Sequence, residues 1–189
     1  MKKKIITIAG KLGSGKSSTA KYIAKELGFT HFSSGDFLRK VAESREMTIK
    51  ELMIAAEQEP AIDKEIDQVL KDKSQDDYII IDSRLAFHWI PESYKVYLDI
   101  DPDIAAQRMF KDLETNEDRK RSENAMSIAE MKRDMIERHQ SDISRFEELY
   151  GINHTKHENF DLVINTGLEE NDFESVVRQI IDGYTSHIK

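Results

Sequence analysis

Gly10-Lys11-Leu12-Gly13-Ser14-Gly15-Lys16-Ser17 sets three glycines, a lysine and a hydroxyl at the spacing needed to wrap a phosphate chain. Before it, Lys4 to Ala9 is a short β-branched run, and after it Ala20, Ile23, Ala24 and Leu27 recur at helical spacing. Strand, loop, helix is the context a P-loop requires. Glycine lets the backbone turn its N–H groups inward onto oxyanions, and the following helix adds the positive end of its dipole. Gly10, Leu12, Gly13, Ser14, Gly15, Lys16, Ser17 and Ser18 are therefore the candidate nucleotide-binding residues. Lys16 is expected at the β- and γ-phosphates and the Ser17 hydroxyl on Mg²⁺.

Around that loop the chain has 189 residues, 34% of them charged and 39% hydrophobic, enough for one sizeable core. It contains no cysteine, which removes disulfides and thiolate metal sites from consideration. The apolar run behind Lys2-Lys3-Lys4 is too short for a signal peptide, and no segment approaches the roughly 20 apolar residues of a membrane span. A cytoplasmic, monomeric protein is expected. A net charge of −8 argues against a spread basic surface for nucleic acid. Six of the ten arginines (Arg108, Arg119, Arg121, Arg133, Arg138, Arg145) nevertheless fall in one 38-residue window, so a local anion site is available. The expected partner is a small phosphorylated molecule.

Further along, Gly28 ends the first helix, a short strand follows to Ser33, and a second helix is expected over Phe37 to Glu46. Thr48 with Glu51 forms a capping-box signature, and Pro60 breaks that third helix or opens a fourth, which reaches about Lys73. Tyr78 to Asp82 reads as a strand buried on both faces, Tyr94 to Asp99 as another, and Asp161 to Thr166 as the last. A helix is expected over Ile104 to Phe110. Lys111 to Asn124 is polar without periodicity and is the candidate mobile loop, with a lid at about 111–125. Long and final helices are expected over Met126 to Tyr150 and Asp172 to Tyr184. Strands alternating with helices behind a P-loop predict an α/β fold, a doubly wound parallel sheet of about five strands. Gly10, Ser33, Asp82, Asp99 and Thr166 then converge at the carboxyl edge, where ligands bind.

Asp82 ends a hydrophobic strand in the place of an acid that holds Mg²⁺. Ser83, Arg84 and Leu85 follow it, with no carboxylate or amide to orient an attacking water, which favours a kinase over a hydrolase. Arg138, Asp142 and Arg145 fall at i, i+4 and i+7 on one face of the long helix. They read either as a solvated salt-bridge ladder or as two guanidiniums aimed at a transferring phosphoryl group and steadied by a carboxylate. His154 and His157 lack a further ligand nearby. Phe87 and Trp89 fit packing better than a base pocket, and Met126, Met131 and Met135 are spaced for helix packing.

The P-loop, Ser34-Gly35-Asp36-Phe37-Leu38-Arg39, Asp82-Ser83-Arg84-Leu85-Ala86, and Arg138 with Asp142 and Arg145 together resemble the cytidylate kinase family, in its short form common in archaea. The resemblance covers nearly the whole chain. It implies ATP-dependent phosphoryl transfer to CMP or dCMP with Mg²⁺, a single kinase domain, and acceptor-binding helices over about 35–73. Ser34, with Gly35 beside it, would contact the acceptor nucleotide, and Arg39 and Arg84 its phosphate. Arg138, Asp142 and Arg145 would serve the phosphates together with Lys16, and Ser17 with Asp82 the metal. Two positions depart from the bacterial pattern: Leu85 stands where an aspartate follows the arginine, and Ser83 where glycine is usual. Asp63 is a candidate for the acceptor ribose, against the ordinary reading of a solvated helix face. Other readings from the residues are a small-metabolite kinase of the same fold and an ATP-binding switch module.

Overall fold

The computed structural model describes residues 4–115 and 127–189. The strands form one parallel sheet in the order β2-β3-β1-β4-β5, from β1 (Ile5–Gly10), β2 (Thr30–Ser33), β3 (Ile79–Asp82), β4 (Tyr94–Asp99) and β5 (Leu162–Asn165). The hydrophobic runs are continuous because the sheet is covered on both faces. On one face Ile6, Ile8, Ile80, Val96 and Leu98 pack against α1 (Lys16–Leu27) and a C-terminal helix, Phe173–His187, here α8. On the other, Ile5, Ile79 and Ile81 meet Ile66 and Leu70 of α4 (Pro60–Lys73), and Ala9 and Tyr97 meet Phe87 of the short helix α5 (Ala86–Trp89).

Between β2 and β3 the chain makes the expected helical excursion: α2 (Ser34–Ser44), α3 (Ile49–Gln58) and α4. Ala42, Ile49, Leu52, Met53 and Ile62 give it a core of its own. The Thr48–Glu51 capping box forms in full, and Pro60 opens α4 rather than merely ending α3. α2 starts three residues earlier than expected because the Ser33 hydroxyl accepts from Asp36 N and caps it there. After β4, α6 (Pro102–Thr115) is longer than its expected end at Phe110, so the segment proposed as a lid, 111–125, begins helical. The rest of that segment, with Arg119 and Arg121, lies outside the described residues, as do Met126, Lys2 and Lys3. The long helix α7 (Ile128–Tyr150) is capped by Ser127 and closed by Gly151 in the left-handed conformation.

Strand register sets the site. Asp82 lies opposite Ser33 on one side and Ile8 on the other, while Gly10 lies opposite Leu98. The carboxyl ends of the central strands thus finish together. Gly10 has φ +140°, and a Cβ there would lie 2.1 Å from the Leu98 carbonyl oxygen, so the loop can leave β1 this close to β4 only with glycine.

Candidate active site

The loop from Gly10 to Gly15 folds as the sequence requires, with Gly13 and Gly15 at φ +76° and +86°. The Ser14 hydroxyl and Lys16 Nζ both donate to the Lys11 carbonyl, at 2.8 and 2.6 Å, while Lys11 Nζ pairs with Asp99 at 2.7 Å. The Ser17 hydroxyl donates to Asp82 Oδ2 in a short hydrogen bond, and the Ser33 hydroxyl donates to the same oxygen at 3.2 Å. Two hydroxyls and a carboxylate therefore meet where the α1 N-terminus faces the end of β3. Hard oxygen donors of this kind fit Mg²⁺, which takes few protein ligands and shares the rest with water and phosphate.

A cleft of about 260 Å³ opens in front of them. Its walls bring together Leu12, Gly13, Gly15, Lys16, Ser17 and Ser18 of the loop, Ser34, Gly35 and Arg39 of α2, Asp82 and Arg84 after β3, and Arg138 of α7. Gly10 and Ser14 lie beneath, buried in the cradle floor. Arg39 is paired with Asp36 in a short contact; burial would raise that carboxyl, but Arg39 and Lys21 hold it below its ordinary range. Beside the cleft a more apolar cavity of about 430 Å³ lies between α3, α6 and α7, with Leu12, Met109 and Arg138 lining both.

Three expected site residues stand behind the cleft rather than in it. Asp142, Arg145 and Asp63 are buried and do not line it. Asp142 accepts from Arg145 Nη2 at 2.8 Å and lies 3.2 Å from Arg84 Nε, and Arg145 Nε lies 2.9 Å from Asp63 on α4. The expected row Arg138, Asp142, Arg145 thus splits. Arg138 faces the cleft, whereas Arg145 is held by two carboxylates that occupy the fork it would offer a phosphate. Asp63 is likewise turned to Arg145, and it is not on a solvated face. Burial would raise Asp142, but Arg84, Arg138 and Arg145 outweigh it and hold the carboxyl low. For Asp63 burial, with Asp67 and Asp142 nearby, outweighs Arg145 and pushes the carboxyl up.

The two departures from the bacterial pattern also find places. Ser83 is buried, its hydroxyl accepting from Leu85 N at 3.4 Å, and Leu85 is buried too. Phe87 packs against Phe160, and Trp89 Nε1 donates to Asp67 at 2.9 Å, so both aromatics serve packing. Sequence reasoning gave no site role to Arg108, which lines the cleft and donates to the Thr166 carbonyl at 2.9 Å. Its place in the arginine-rich window, on the helix that leaves β4, was the available signal.

A P-loop at the end of β1, an acid at the end of β3 and arginines around one cleft define a P-loop kinase. Solved structures agree at the level of fold: shikimate kinase from Acinetobacter baumannii superposes with a TM-score of 0.64 at 14% identity, over 97% of this chain and 93% of that one. A family model described as an AAA domain matches residues 9–132. Curated cytidylate kinases are closer in sequence. That of Halobacterium salinarum is 33% identical over 95% of this chain and 90% of its own length, and that of Methanopyrus kandleri 30% identical over 94% and 93%. The chain belongs to the cytidylate kinase family of nucleoside monophosphate kinases. ATP as donor follows from that membership, and no helix among the described residues is long and apolar enough to cross a membrane.

Proposed function

We propose that the protein transfers the γ-phosphoryl group of ATP to CMP or dCMP. The observation that carries this is a cleft with two cationic poles. Lys16 and the backbone cradle form one, at the end of β1, and Arg39 and Arg84 form the other, on α2 and after β3. An acceptor that already bears phosphate needs the second pole; a hydrolase does not. The cytidylate kinase relatives support cytosine as the base.

In this scheme the P-loop N–H groups and Lys16 hold the donor phosphates, and Ser34 with Gly35 adjoins the acceptor. Arg39 and Arg84 fix the acceptor phosphate, whose attacking oxygen is already ionised near pH 7 and needs no strong base. Arg138 faces both and stabilises charge as it moves between them. Ser17 and Asp82 would hold Mg²⁺, which when bound neutralises the phosphate oxygens. The chain acts as one kinase domain with its acceptor side built on the helices over 35–73. The net charge of −8 supports a small nucleotide rather than nucleic acid as partner, and favours a monomer; a cytoplasmic location is part of the same proposal.

The test is ADP release with ATP and Mg²⁺ against CMP, dCMP, UMP, AMP, GMP, shikimate and a blank without acceptor. Turnover confined to CMP and dCMP is the expected result, and Lys16→Ala should lower it by a factor on the order of 100 or more. Turnover with another nucleotide would replace the substrate, and ADP release equal to the blank throughout would overturn the proposal.

A further inference from the structure

Arg84, Asp142, Arg145 and Asp63 form one unbroken run of alternating charge from the cleft into the helical excursion. Arg145 Nη2 donates to one oxygen of Asp142, while Arg84 Nε lies 3.2 Å from the other and Arg145 Nε 2.9 Å from Asp63 Oδ2, both as ion pairs without hydrogen-bond alignment. Only Arg84 lines the cleft. Asp142, Arg145 and Asp63 expose 1, 8 and 6% of their surface, so removing one partner leaves a buried charge uncompensated. Each member therefore constrains the next. Arg84 Nε faces Asp142 as an ion pair, so the two Nη groups are what Arg84 offers a phosphate, and the Asp142 charge biases the side of the guanidinium that turns to the cleft.

We propose that Asp63 is a positioning residue for the acceptor phosphate, acting through Arg145 and Asp142 to aim the Arg84 guanidinium. This rests on the kinase function proposed above. The competing role for such a run is to glue α4 to α7. A well-packed apolar pair of similar volume would do that as well or better. What an apolar pair would not do is orient a guanidinium at the mouth of the cleft. The run gives α4 a part in acceptor binding at two removes: Asp63 holds Arg145, Arg145 holds Asp142, and Asp142 faces Arg84.

The test uses the full chain. Asp63→Asn keeps the shape and removes the charge, so the KM for CMP should rise by about ten- to a hundredfold, the size of a small misplacement at a site. The KM for ATP should stay within about twofold, because the P-loop contacts do not pass through α4. Asp63→Glu, which restores the charge, should recover most of the loss. The decisive arm is a double-mutant cycle: in an Arg84→Ala background, Asp63→Asn should raise the KM for CMP no further, because the group it aims is gone. A purely structural role would give additive losses, and donor and acceptor constants moving together; either result overturns the proposal. Should Asp63→Asn not fold, Arg145→Lys, which keeps the charge but loses the fork, must show the same acceptor-only rise and the same non-additivity. If the wild-type protein turns over no nucleoside monophosphate, the kinase proposal falls and takes this one with it. If it does, and Asp63→Asn leaves the KM for CMP unchanged, only the positioning role falls.

Discussion

His154 shows how far the arginine run reaches into the protein. The ring is buried between those of His139 and Phe146, with Nδ1 lacking a hydrogen-bond partner among the described residues. Burial, and after it the positive charge of Arg84, push its pKa down to about 3. The imidazole is therefore neutral in the fold, while in the unfolded chain it titrates near its ordinary value of about 6.5. Between those two values the unfolded state binds the extra proton, so stability falls as the pH drops from about 6.5 towards about 3. The slope approaches about 1.4 kcal/mol per pH unit. His154→Phe keeps the ring packing and removes the proton site. In urea unfolding at pH 7, 6 and 5, the wild-type protein should lose ground to this variant with each step downward; parallel curves would show that His154 takes up no proton on unfolding. This histidine was legible in the sequence only as half of a possible ligand pair with His157. Its burial depends on α7 and its lowered pKa in part on Arg84, neither of which its own neighbours in the chain reveal.

The excursion helices meet α7 through a row of polar contacts: Lys50 to Asp134, Glu57 to Ser141, Asp63 to Arg145 and Asp67 to Tyr150. The rungs advance along the excursion and along α7 in the same chain direction. The upper rungs are exposed and the lower ones buried, and buried rungs carry the weight because exposed ion pairs are worth little. Asp67 is a case in point. It is 3% exposed and takes its hydrogen bonds from Tyr150 and from Trp89 Nε1, while burial and Asp67 raise the Tyr150 phenol well above its ordinary pKa. Tyr150→Phe removes one donor and leaves a buried carboxylate short of a partner, at a cost of about 1–3 kcal/mol. In a chain of this length that lowers Tm by roughly 2–4 °C per kcal/mol. A Tm within 1 °C of the wild type, on that scale of about 2–4 °C per kcal/mol, would mean that Asp67 is satisfied without Tyr150. The elements themselves were largely legible. Thr48 and Glu51 announced the start of α3, Pro60 a break there that either ended α3 or opened α4, and Gly28 and Gly151 the ends of α1 and α7, because caps are local signals. The faces of α4 were not: apolar spacing marks Ile62, Ile66 and Leu70 as inward, but a carboxylate between them looks solvated until its arginine, in a different helix, is in view. The short helix α5 carried no periodicity to read.

At the scale of the molecule the parallel sheet places the P-loop, Arg39 and Arg84 at one edge. β1 lies between β3 and β4, so the P-loop emerges beside the end of β3, where Asp82 and Arg84 lie, and Ser33 at the end of β2 is one strand further out. The two poles of the cleft therefore stand on different elements. Lys16 begins α1, on the face packed by α8, whereas Arg84 follows β3 and is braced by α7. Losing one should leave the other able to bind. A ligand that binds only the folded state stabilises it by about 2.7 kcal/mol at a hundred times its Kd. For a chain of this size that is an upward shift in Tm of roughly 5–11 °C. ATP with Mg²⁺ and CMP, each added alone to the wild-type protein at such an excess, should both give shifts on that scale. Lys16→Ala should lose most of the ATP shift and keep the CMP shift, and Arg84→Ala should do the reverse. A crossed pattern of this kind requires two anion sites on separately supported elements. If either variant loses both shifts together, the cleft has a single pole, and the acceptor phosphate must be held by groups other than Arg39 and Arg84.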